Sequence, residues 1–441
     1  MKLVLIILIL FFINNCSFDN KTGIWNTNES LSSKKNSEFE NFKKLTINQT
    51  LFDREIELKK NFSLELPSQV NNKKWKDIYY SQSNNFTNFS YNDQKQLLFK
   101  SKKLTKHEII SNLLFDENNL ILCDVAGNII AFSTPSNNVI TKFNFYKKKY
   151  KKFKKKLNLS IDQGIIYVTD NFGYIYALDY KKNKILWAKN KKIPFRSNLK
   201  IIENKIIAAD ENNNIYFFNK KNGDTIKFIP TEDTKIKNDF VNNFSINNEH
   251  IYFLNTYGSL SSLNNKNNEV RWVINLSQSL DLNPRNLFNG QPLISDENYL
   301  IVTSHDATYI INNENGNILY KFNIIAETKP LLTNNKLFLI SSNKLLICID
   351  IKEGEIIYSY RMNKQISEFL KIKEKDVSPK SLMIVNDKIL VFLNNSYFLE
   401  YNIVGNLENI YRFPTRVKSN IIFINNSIFY LDSKNKLIIF D

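Results

Sequence analysis

The sequence is short of the residues that build metal centres and disulfide frameworks. Its 441 residues include three cysteines and three histidines. His107, His250 and His305 are scattered and lack the spacing of metal ligands, so we interpret each as a surface or packing residue. No two cysteines are adjacent, and neither Cys123 nor Cys348 is placed for catalysis. These shortages speak against a metal centre.

A hydrophobic run long enough to span a membrane is also absent. The apolar run at residues 3–13 is too short for that, but it has the proportions of a signal peptide. Cys16 follows, and this order resembles the bacterial lipoprotein signal, in which the cysteine is lipidated. The two asparagines before it depart from the usual small residues, so an ordinary secretory signal or an uncleaved anchor is the alternative. We predict a lipoprotein signal peptide at residues 1–16 with lipidation of Cys16, and Ser17 resembles the signal for outer-membrane sorting.

Hydrophobic periodicity is weak in residues 17–74. Asn, Ser, Lys and Glu dominate this stretch, and such a composition cannot bury a core. We interpret it as a largely disordered tether that gives a folded domain at residues 75–441 reach from the membrane. Scattered apolar side chains at residues 45–66 either dock on a partner or on the folded domain, or belong to a loose linker.

Acidic residues are outnumbered, with 43 Asp and Glu against 60 Lys and Arg, a net charge of +17. This balance favours an anionic neighbour. No nucleic-acid motif accompanies it, so we expect no nucleic-acid partner. Residues 147–156 carry eight lysines interleaved with Tyr150 and Phe153. This cluster either binds anionic lipid or lipopolysaccharide phosphates, or is a solvated strand and turn.

What the sequence does contain is one short sequence motif repeated eight times. In each copy a hydrophobic strand ends on an anchor residue, usually Asp or Asn. Successive anchors are 38 to 52 residues apart, around the ~40–45 residues of a four-stranded propeller blade. The anchors are Ser133, Asp179, Asn219, Asn264, Asn312, Asp350, Asn402 and Asp441.

A second position supports this register. Six residues before the anchor, a tight hairpin needs a residue that tolerates positive φ. Lys344 and Ser396 depart from this rule. The other copies follow it with Gly127, Gly173, Asn213, Gly258, Asp306 and Asn435. We therefore predict an all-β fold, an eight-bladed β-propeller of four-stranded antiparallel blades.

The two ends of the repeat array predict how the ring closes. The last copy stops at Asp441 and lacks an outer strand, whereas residues 97–103 read like the outer strand at residues 185–191. Pairing residues 97–103 with the last blade would remove the open sheet edges. Cys123 and Cys348 then fall in blades one and six, too far apart to bond, and we expect buried free thiols.

The repeat resembles the PQQ-like propeller repeat. Residues 176–179 read Tyr-Ala-Leu-Asp and are followed by Asn183 and Trp187, as in the family motif. One family with this repeat, the quinoprotein dehydrogenases, binds its quinone with calcium and stacks it on a vicinal disulfide. Because adjacent cysteines are missing, we expect no cofactor and no enzyme, and a PQQ-dependent dehydrogenase is the weaker alternative.

The whole chain is more similar to a second family, BamB, and closest to its alphaproteobacterial branch. Residues 64–67 with Trp75, residues 194–197 and residues 289–292 carry this resemblance. It implies a lipid-anchored scaffold at the periplasmic face of the outer membrane, monomeric within the β-barrel assembly machinery. Such a scaffold docks on the periplasmic domains of the central β-barrel assembly protein and assists insertion of nascent outer-membrane proteins.

The resemblance also implies a partner-binding site. Phe195 and Arg196 match a Phe/Leu-Arg loop of that family, and Asp239 aligns with acidic residues of the next inter-blade loop. An arginine at a loop tip can bind a partner carboxylate through two hydrogen bonds. The alternatives are that Arg196 braces its own blade, and that the protein is an envelope-binding propeller for peptidoglycan, lipid or peptide.

Overall fold

The computed structural model describes residues 16–18, 25–27, 51–58, 62–232, 240–277 and 287–441. The chain divides into two compact units, residues 1–49 and residues 50–441. In the first unit, β1 (Cys16–Phe18) pairs antiparallel with β2 (Trp25–Thr27). The remainder of the predicted signal peptide, and much of the predicted tether, lies outside the described residues.

Eight sheets form the second unit, seven of four strands and one of five. One helix occurs among its described residues, α1 (Met362–Leu370), and one 3-10 turn, Lys148–Tyr150. In chain order the strands are β3 (Asn88–Phe89), β4 (Leu97–Lys103), β5 (Ile109–Asp116), β6 (Asn119–Asp124), β7 (Asn128–Ser133), β8 (Asn138–Asn144), β9 (Leu157–Asp162), β10 (Ile165–Asp170), β11 (Tyr174–Asp179), β12 (Lys184–Asn190), β13 (Lys200–Ile202), β14 (Lys205–Ala209), β15 (Ile215–Asn219), β16 (Thr225–Ile229), β17 (Asn243–Ile246), β18 (His250–Leu254), β19 (Ser259–Asn264), β20 (Val270–Asn275), β21 (Ile294–Ser295), β22 (Tyr299–Thr303), β23 (Thr308–Asn312), β24 (Ile318–Phe322), β25 (Leu331–Thr333), β26 (Lys336–Ile340), β27 (Leu345–Asp350), β28 (Glu355–Arg361), β29 (Pro379–Val385), β30 (Lys388–Leu393), β31 (Tyr397–Tyr401), β32 (Leu407–Arg412), β33 (Ile422–Ile424), β34 (Ser427–Leu431) and β35 (Lys436–Phe440).

These strands make an eight-bladed propeller. Blades 1 to 7 each take four consecutive strands, from β5–β8 through β29–β32, and β3 adds a short parallel strand to β29 in blade 7. Blade 8 takes β33, β34, β35 and β4, with β4 antiparallel to β35. The predicted fold is therefore confirmed, including closure of the ring by residues 97–103.

Burial falls from the inner to the outer strand of a blade. In blade 1, β6 is buried along its whole length, whereas β8 exposes most of its side chains. Inner strands are packed between neighbouring blades on both faces, and therefore read as continuous apolar runs rather than alternating ones. Cys123 in β6 and Cys348 in β27 are buried free thiols, as predicted.

The predicted anchors end the third strand of each blade or follow it directly. In blades 1 to 7 their side chains cap the turn to the fourth strand: Asn264 Oδ1 accepts the backbone N–H of Lys266 at 2.8 Å, and Asp350 Oδ1 that of Lys352 at 3.0 Å. Such Asx turns satisfy backbone donors that the hairpin leaves unpaired. This explains why Asp and Asn recur at the anchor position.

Positive φ recurs six residues before the anchor, in more copies than the residue types predicted. Lys344 and Ser396 adopt φ of 61° and 69°, although neither residue type favours this region. Asp306, by contrast, does not adopt a positive φ, and its hairpin closes through Ser304 Oγ, which accepts the N–H of Ala307. The blade geometry thus sets this conformation even where the residue is unfavourable.

Neighbouring blades are joined by an aromatic residue eight positions after the anchor. Trp187 Nε1 of blade 2 donates to the carbonyl of Lys220 in blade 3 at 3.1 Å. Its ring covers Gly223, where an added Cβ would lie 2.3 Å from Trp187 Cε3. The same bond is made by Trp272, Tyr320 and Tyr358 to the carbonyls of Asn313, Lys352 and Ile403.

Part of the predicted tether lies on the propeller, so the structure moves the predicted boundary at residue 75. Ile56 bridges Ser359 in β28, and the N–H of Phe52 donates to the carbonyl of Asn323 at 2.8 Å. Phe62 packs on the core between blades 6 and 7. The scattered apolar residues of the tether are what hold it there. Among the described residues, no helix has the length and apolarity to cross a membrane.

Candidate functional site

The strand order gives the propeller two unlike faces. Strands alternate in direction, so the turns after first and third strands lie on one face, which we call the turn face. The turns after second strands, and the connections from each blade to the next, lie on the other, which we call the connection face. Residues 147–156 and residues 194–198 are both connections and share the connection face.

Residues 194–198 join blade 2 to blade 3 and are held by backbone bonds. The N–H of Phe195 donates to the carbonyl of Asp170 at 2.9 Å, and the N–H of Arg196 to that of Ala209 at 2.9 Å. Phe195 is only 3% exposed and packs edge-to-face on Tyr216. The structure therefore places Phe195 in the core between the blades, where it supports the loop rather than presenting an apolar surface.

Arg196 lies at the surface of this loop and is half-buried. Its carbonyl accepts the N–H of Asn242 at 3.1 Å, which ties the loop to the following connection. Asp239, the other predicted contact, lies outside the described residues. The nearby Glu232 is described, and its carboxylate accepts from Asn255 Nδ2 at 3.0 Å and Ser259 Oγ at 2.8 Å. The backbone that carries Arg196 is therefore held in place by hydrogen bonds.

The lysine-rich connection at residues 147–156 surrounds a cavity of about 440 Å³. Lys155 is its buried member, and its Nζ donates to the carbonyl of Tyr150 at 2.6 Å. Burial lowers the pKa of Lys155, and the nearby Asp124 carboxylate acts in the opposite direction. Phe153 is 59% exposed. This connection therefore combines a buried lysine that holds its backbone in place with an exposed cationic surface.

A segment that sequence reasoning missed occupies the centre of the ring. Residues 70–92, here called the plug, hydrogen-bond with the innermost region of every blade. Its contacts are Asn72 with Asn425, Trp75 with Phe115, Asp77 with Ser160, Gln82 with Ile201 and Ile246, Ser83 with Ser295, Asn85 with Leu332, and Asn88 with Ile384. These contacts fall toward the ends of the first strands, so the plug caps the channel at the turn face.

Buried polar groups fix the plug. Lys200 Nζ donates to Asp77 Oδ2 at 2.8 Å, to the Ser81 carbonyl at 2.7 Å and to Asn84 Oδ1 at 2.7 Å. Burial lowers the pKa of Lys200, and the Asp77 carboxylate opposes this shift. Lys329 Nζ also reaches the plug and lies over the Phe86 ring. Charged residues in apolar inner strands were the signal that could have revealed this segment.

Two cavities lie beside the plug. The one lined by Trp75, Tyr79, Phe86, Lys329 and Lys380 among others measures about 140 Å³. The other, lined in part by plug residues 85–88, measures about 480 Å³. Small-molecule and cofactor pockets typically occupy ~300–1,000 Å³, so the first cavity is smaller than a quinone cofactor requires.

One histidine has acidic neighbours that sequence spacing did not reveal. His250, Glu249 and Glu314 bring ligand atoms within 4.8 Å of one another. However, His250 Nδ1 contacts Tyr252 Oη at 3.0 Å, and its Nε2 contacts the Arg271 guanidinium. The Arg271 guanidinium lies beside Nε2, where a metal would bind, and it also pairs with Glu314 at 3.7 Å. His250 and Arg271 therefore link blade 4 to a turn of blade 5.

Comparison with known proteins gives a family and a fold. Residues 125–365 match the family model described as outer membrane protein assembly factor BamB. No curated protein matches the chain. The crystal structure of BamB from Moraxella catarrhalis is 11% identical with a TM-score of 0.61, covering 79% of this chain and 99% of that one.

A different protein class shares the fold. Quinohemoprotein alcohol dehydrogenase from Comamonas testosteroni is 9% identical with a TM-score of 0.62, covering 84% of this chain and 81% of that one. The computationally designed Ika8 protein is 9% identical with a TM-score of 0.57, covering 78% of this chain and 99% of that one. At these identities the structural likeness shows the propeller fold alone.

Proposed function

This chain belongs to the family of the outer membrane protein assembly factor BamB, and from that premise we propose that it is a non-enzymatic scaffold of the β-barrel assembly machinery. In this proposal Cys16 carries the lipid that holds the protein at the periplasmic face of the outer membrane. The propeller docks on the central β-barrel assembly protein and assists insertion of outer-membrane proteins. We also propose that the chain is closest to the alphaproteobacterial branch of the family, and the resemblance of residues 64–67 and Trp75 to the entry segment of that branch supports this.

The filled channel is the observation that favours a scaffold over a dehydrogenase. The cavity of about 140 Å³ between the plug and Lys329 and Lys380 is smaller than the ~300–1,000 Å³ typical of cofactor pockets. The plug cannot leave without breaking the buried pair between Lys200 and Asp77. The sequence also lacks the adjacent cysteines of quinoprotein sites. Because these features do not fit the cofactor, no redox step is assigned to this chain.

Arg196 is the residue proposed to contact the partner. Its guanidinium can bind a carboxylate through two hydrogen bonds, and the bonded backbone at residues 194–198 limits the entropy lost on docking. Phe195 supports this loop from within. Asp239 stays a proposed contact in the next connection.

Affinity purification from native membranes tests the proposal. We expect tagged full-length protein to recover the central β-barrel assembly protein, and Arg196→Glu to weaken recovery by ~2 kcal/mol or more of binding free energy, about 30-fold. Lys418→Glu is the matched control, because the Lys418 N–H donates to Leu431 as that of Arg196 does to Ala209.

The outcomes separate function from site. Recovery by wild type and Lys418→Glu, but not by Arg196→Glu, supports both. Equal recovery by all three proteins would keep the scaffold and reject Arg196 as its contact. If wild type recovered no β-barrel assembly component, the scaffold proposal would fail, and an envelope-binding propeller would be the better account.

A further inference from the structure

The connection between blades 1 and 2 exposes an unusual number of unpaired cations. Its exposed lysines are Lys147, Lys148, Lys151, Lys152, Lys154 and Lys156. Lys154 pairs with Glu108 at 3.2 Å. For Lys147, Lys148, Lys151 and Lys152, the part of the chain that the structure describes provides no acidic partner. This positive charge is therefore available to an external anion.

Buried contacts hold the base of this connection in place. Lys155 Nζ binds the Tyr150 carbonyl at 2.6 Å and lies 5.3 Å from the centre of the Tyr146 ring. The Tyr146 hydroxyl donates to the Asp170 carboxylate, and Phe172 packs on Tyr150 at 5.0 Å between ring centres. A backbone ordered before binding loses less entropy when the lysines engage a ligand.

An aromatic side chain projects from the middle of the lysines. Phe153 is 59% exposed, and its only aromatic contact among the described residues is the edge of Phe172, 6.2 Å away. Exposed aromatic residues beside lysines are typical of segments that lie in the headgroup region of a bilayer. A soluble phosphate would engage the lysines but would leave Phe153 in water.

We propose that residues 147–156 form a docking site for an anionic lipid surface, with the lysines binding lipid phosphates and Phe153 entering the bilayer interface. The cavity of about 440 Å³ between the lysines and residues 125–128 gives a headgroup room to sit among them. Because the site lies on the connection face, docking turns that face toward the membrane. This inference does not depend on the proposed scaffold function.

A local fluorescence probe tests the site on the full chain. Phe153→Trp places an indole at the loop, and its emission is compared with wild type to remove the four native tryptophans. The protein is reconstituted on vesicles of phosphatidylcholine, with or without phosphatidylglycerol, carrying brominated acyl chains that quench at close range. We expect quenching at position 153 on the phosphatidylglycerol vesicles alone, and its loss at high salt.

Charge variants in the same background locate the effect. Replacing Lys147, Lys148, Lys151 and Lys152 with Gln should lower the ratio of docked to undocked protein at least tenfold, since each lysine near an anionic surface contributes about 1 kcal/mol. The matched control replaces four exposed lysines of the turn face, Lys182, Lys221, Lys266 and Lys352. It removes the same charge and should change the ratio less than twofold.

Three results would overturn the proposal. They are an unquenched indole on phosphatidylglycerol vesicles, equal quenching on phosphatidylcholine alone, and a control variant as impaired as the loop variant. Melting temperatures of both four-lysine variants should match wild type, because exposed substitutions change stability by less than ~0.5 kcal/mol. Lys155 is left unchanged because it holds the loop together.

Discussion

The two faces of this propeller use the same repeat for different purposes. On the turn face, short turns place Gly223 and its counterparts under aromatic rings of the preceding blade, and the plug caps the channel. On the connection face, the links between blades are longer and carry Arg196, the lysine-rich connection and the exposed Phe369 at the end of α1. The turn face holds neighbouring blades together, and the connection face presents side chains to the surroundings.

This difference follows from strand order. A turn within a blade must close a hairpin, so its length and conformation are fixed. A connection between blades only has to span neighbours, and it can lengthen at little cost in loop entropy. Substitutions at the buried contacts of the turn face should therefore reduce stability, whereas those at exposed side chains of the connection face should change binding and leave stability intact.

Substitutions in the plug should cause the largest loss of stability, because the plug lies at the turn face, which holds the blades together. Asp77→Ala leaves the buried Lys200 ammonium without its carboxylate. We expect a loss of ~3–5 kcal/mol in the free energy of unfolding, measured by urea denaturation. The double variant Asp77→Leu with Lys200→Met should recover much of it. A loss below ~1 kcal/mol, or a double variant no better than the single one, would contradict this role.

Gly223 tests the joint between blades. Its φ is +74°, and an added Cβ would lie 2.3 Å from Trp187. Gly223→Ala should therefore cost ~2–4 kcal/mol of stability, ~1–2 from the backbone and the rest from crowding. Gly164 has the same φ, but an added Cβ there would meet only the Lys181 side chain, at an ordinary contact distance of 3.8 Å, so Gly164→Ala should cost only the backbone part. If thermal denaturation showed equal losses of stability for the two variants, the contact between Gly223 and the Trp187 ring would be unimportant.

The pH dependence of stability gives the smallest effect. Burial lowers the pKa of Lys380 to about 8, and the neighbouring Lys418 adds to this shift. The unfolded chain, with a lysine pKa near ~10.4, binds more protons between these values, so stability should rise with pH by ~1–2 kcal/mol from about pH 8 to 9.5. Buried tyrosines such as Tyr79, whose pKa burial raises to about 12, reverse the trend above about pH 10.

Lys380→Met checks the origin of this rise. Without the titrating ammonium, the rise over the same interval should be smaller by ~1–2 kcal/mol, while other buried lysines with a lowered pKa, such as Lys329, keep their contribution. A variant that keeps the full rise would assign the pH dependence to other groups. Chemical denaturation at several pH values measures both proteins.

The repeat made the fold predictable, because one phrase encodes a whole blade. The anchors and the missing outer strand of the last blade fixed both blade count and closure, and β4 pairs with β35 as expected. The candidate site was harder to predict from the sequence than the fold. The family resemblance marked Phe195 as a contact, but only the three-dimensional packing on Tyr216 reveals its burial.

The plug was missed because it has no repeat of its own. Composition assigned residues 70–74 to the tether, and residues 75–92 were included in the predicted propeller without a place in its repeat. Its order comes from partners far away in sequence, such as Asn84, which donates to the carbonyl of Leu293 at 2.7 Å. No local pattern in residues 70–92 specifies these bonds. Hydrogen bonds between polar groups far apart in sequence are the part of this fold that the hydrophobic periodicity did not reveal.

The closing strand has a consequence for how the protein reaches its folded state. The N–H of Leu437 donates to Ser101 Oγ at 2.8 Å across 336 positions of sequence. During synthesis β4 is made well before β35 and cannot pair until β35 is present. Such remote pairing folds slowly, and the waiting edge is open to other strands. The unfinished chain is therefore most exposed to aggregation before blade 8 closes.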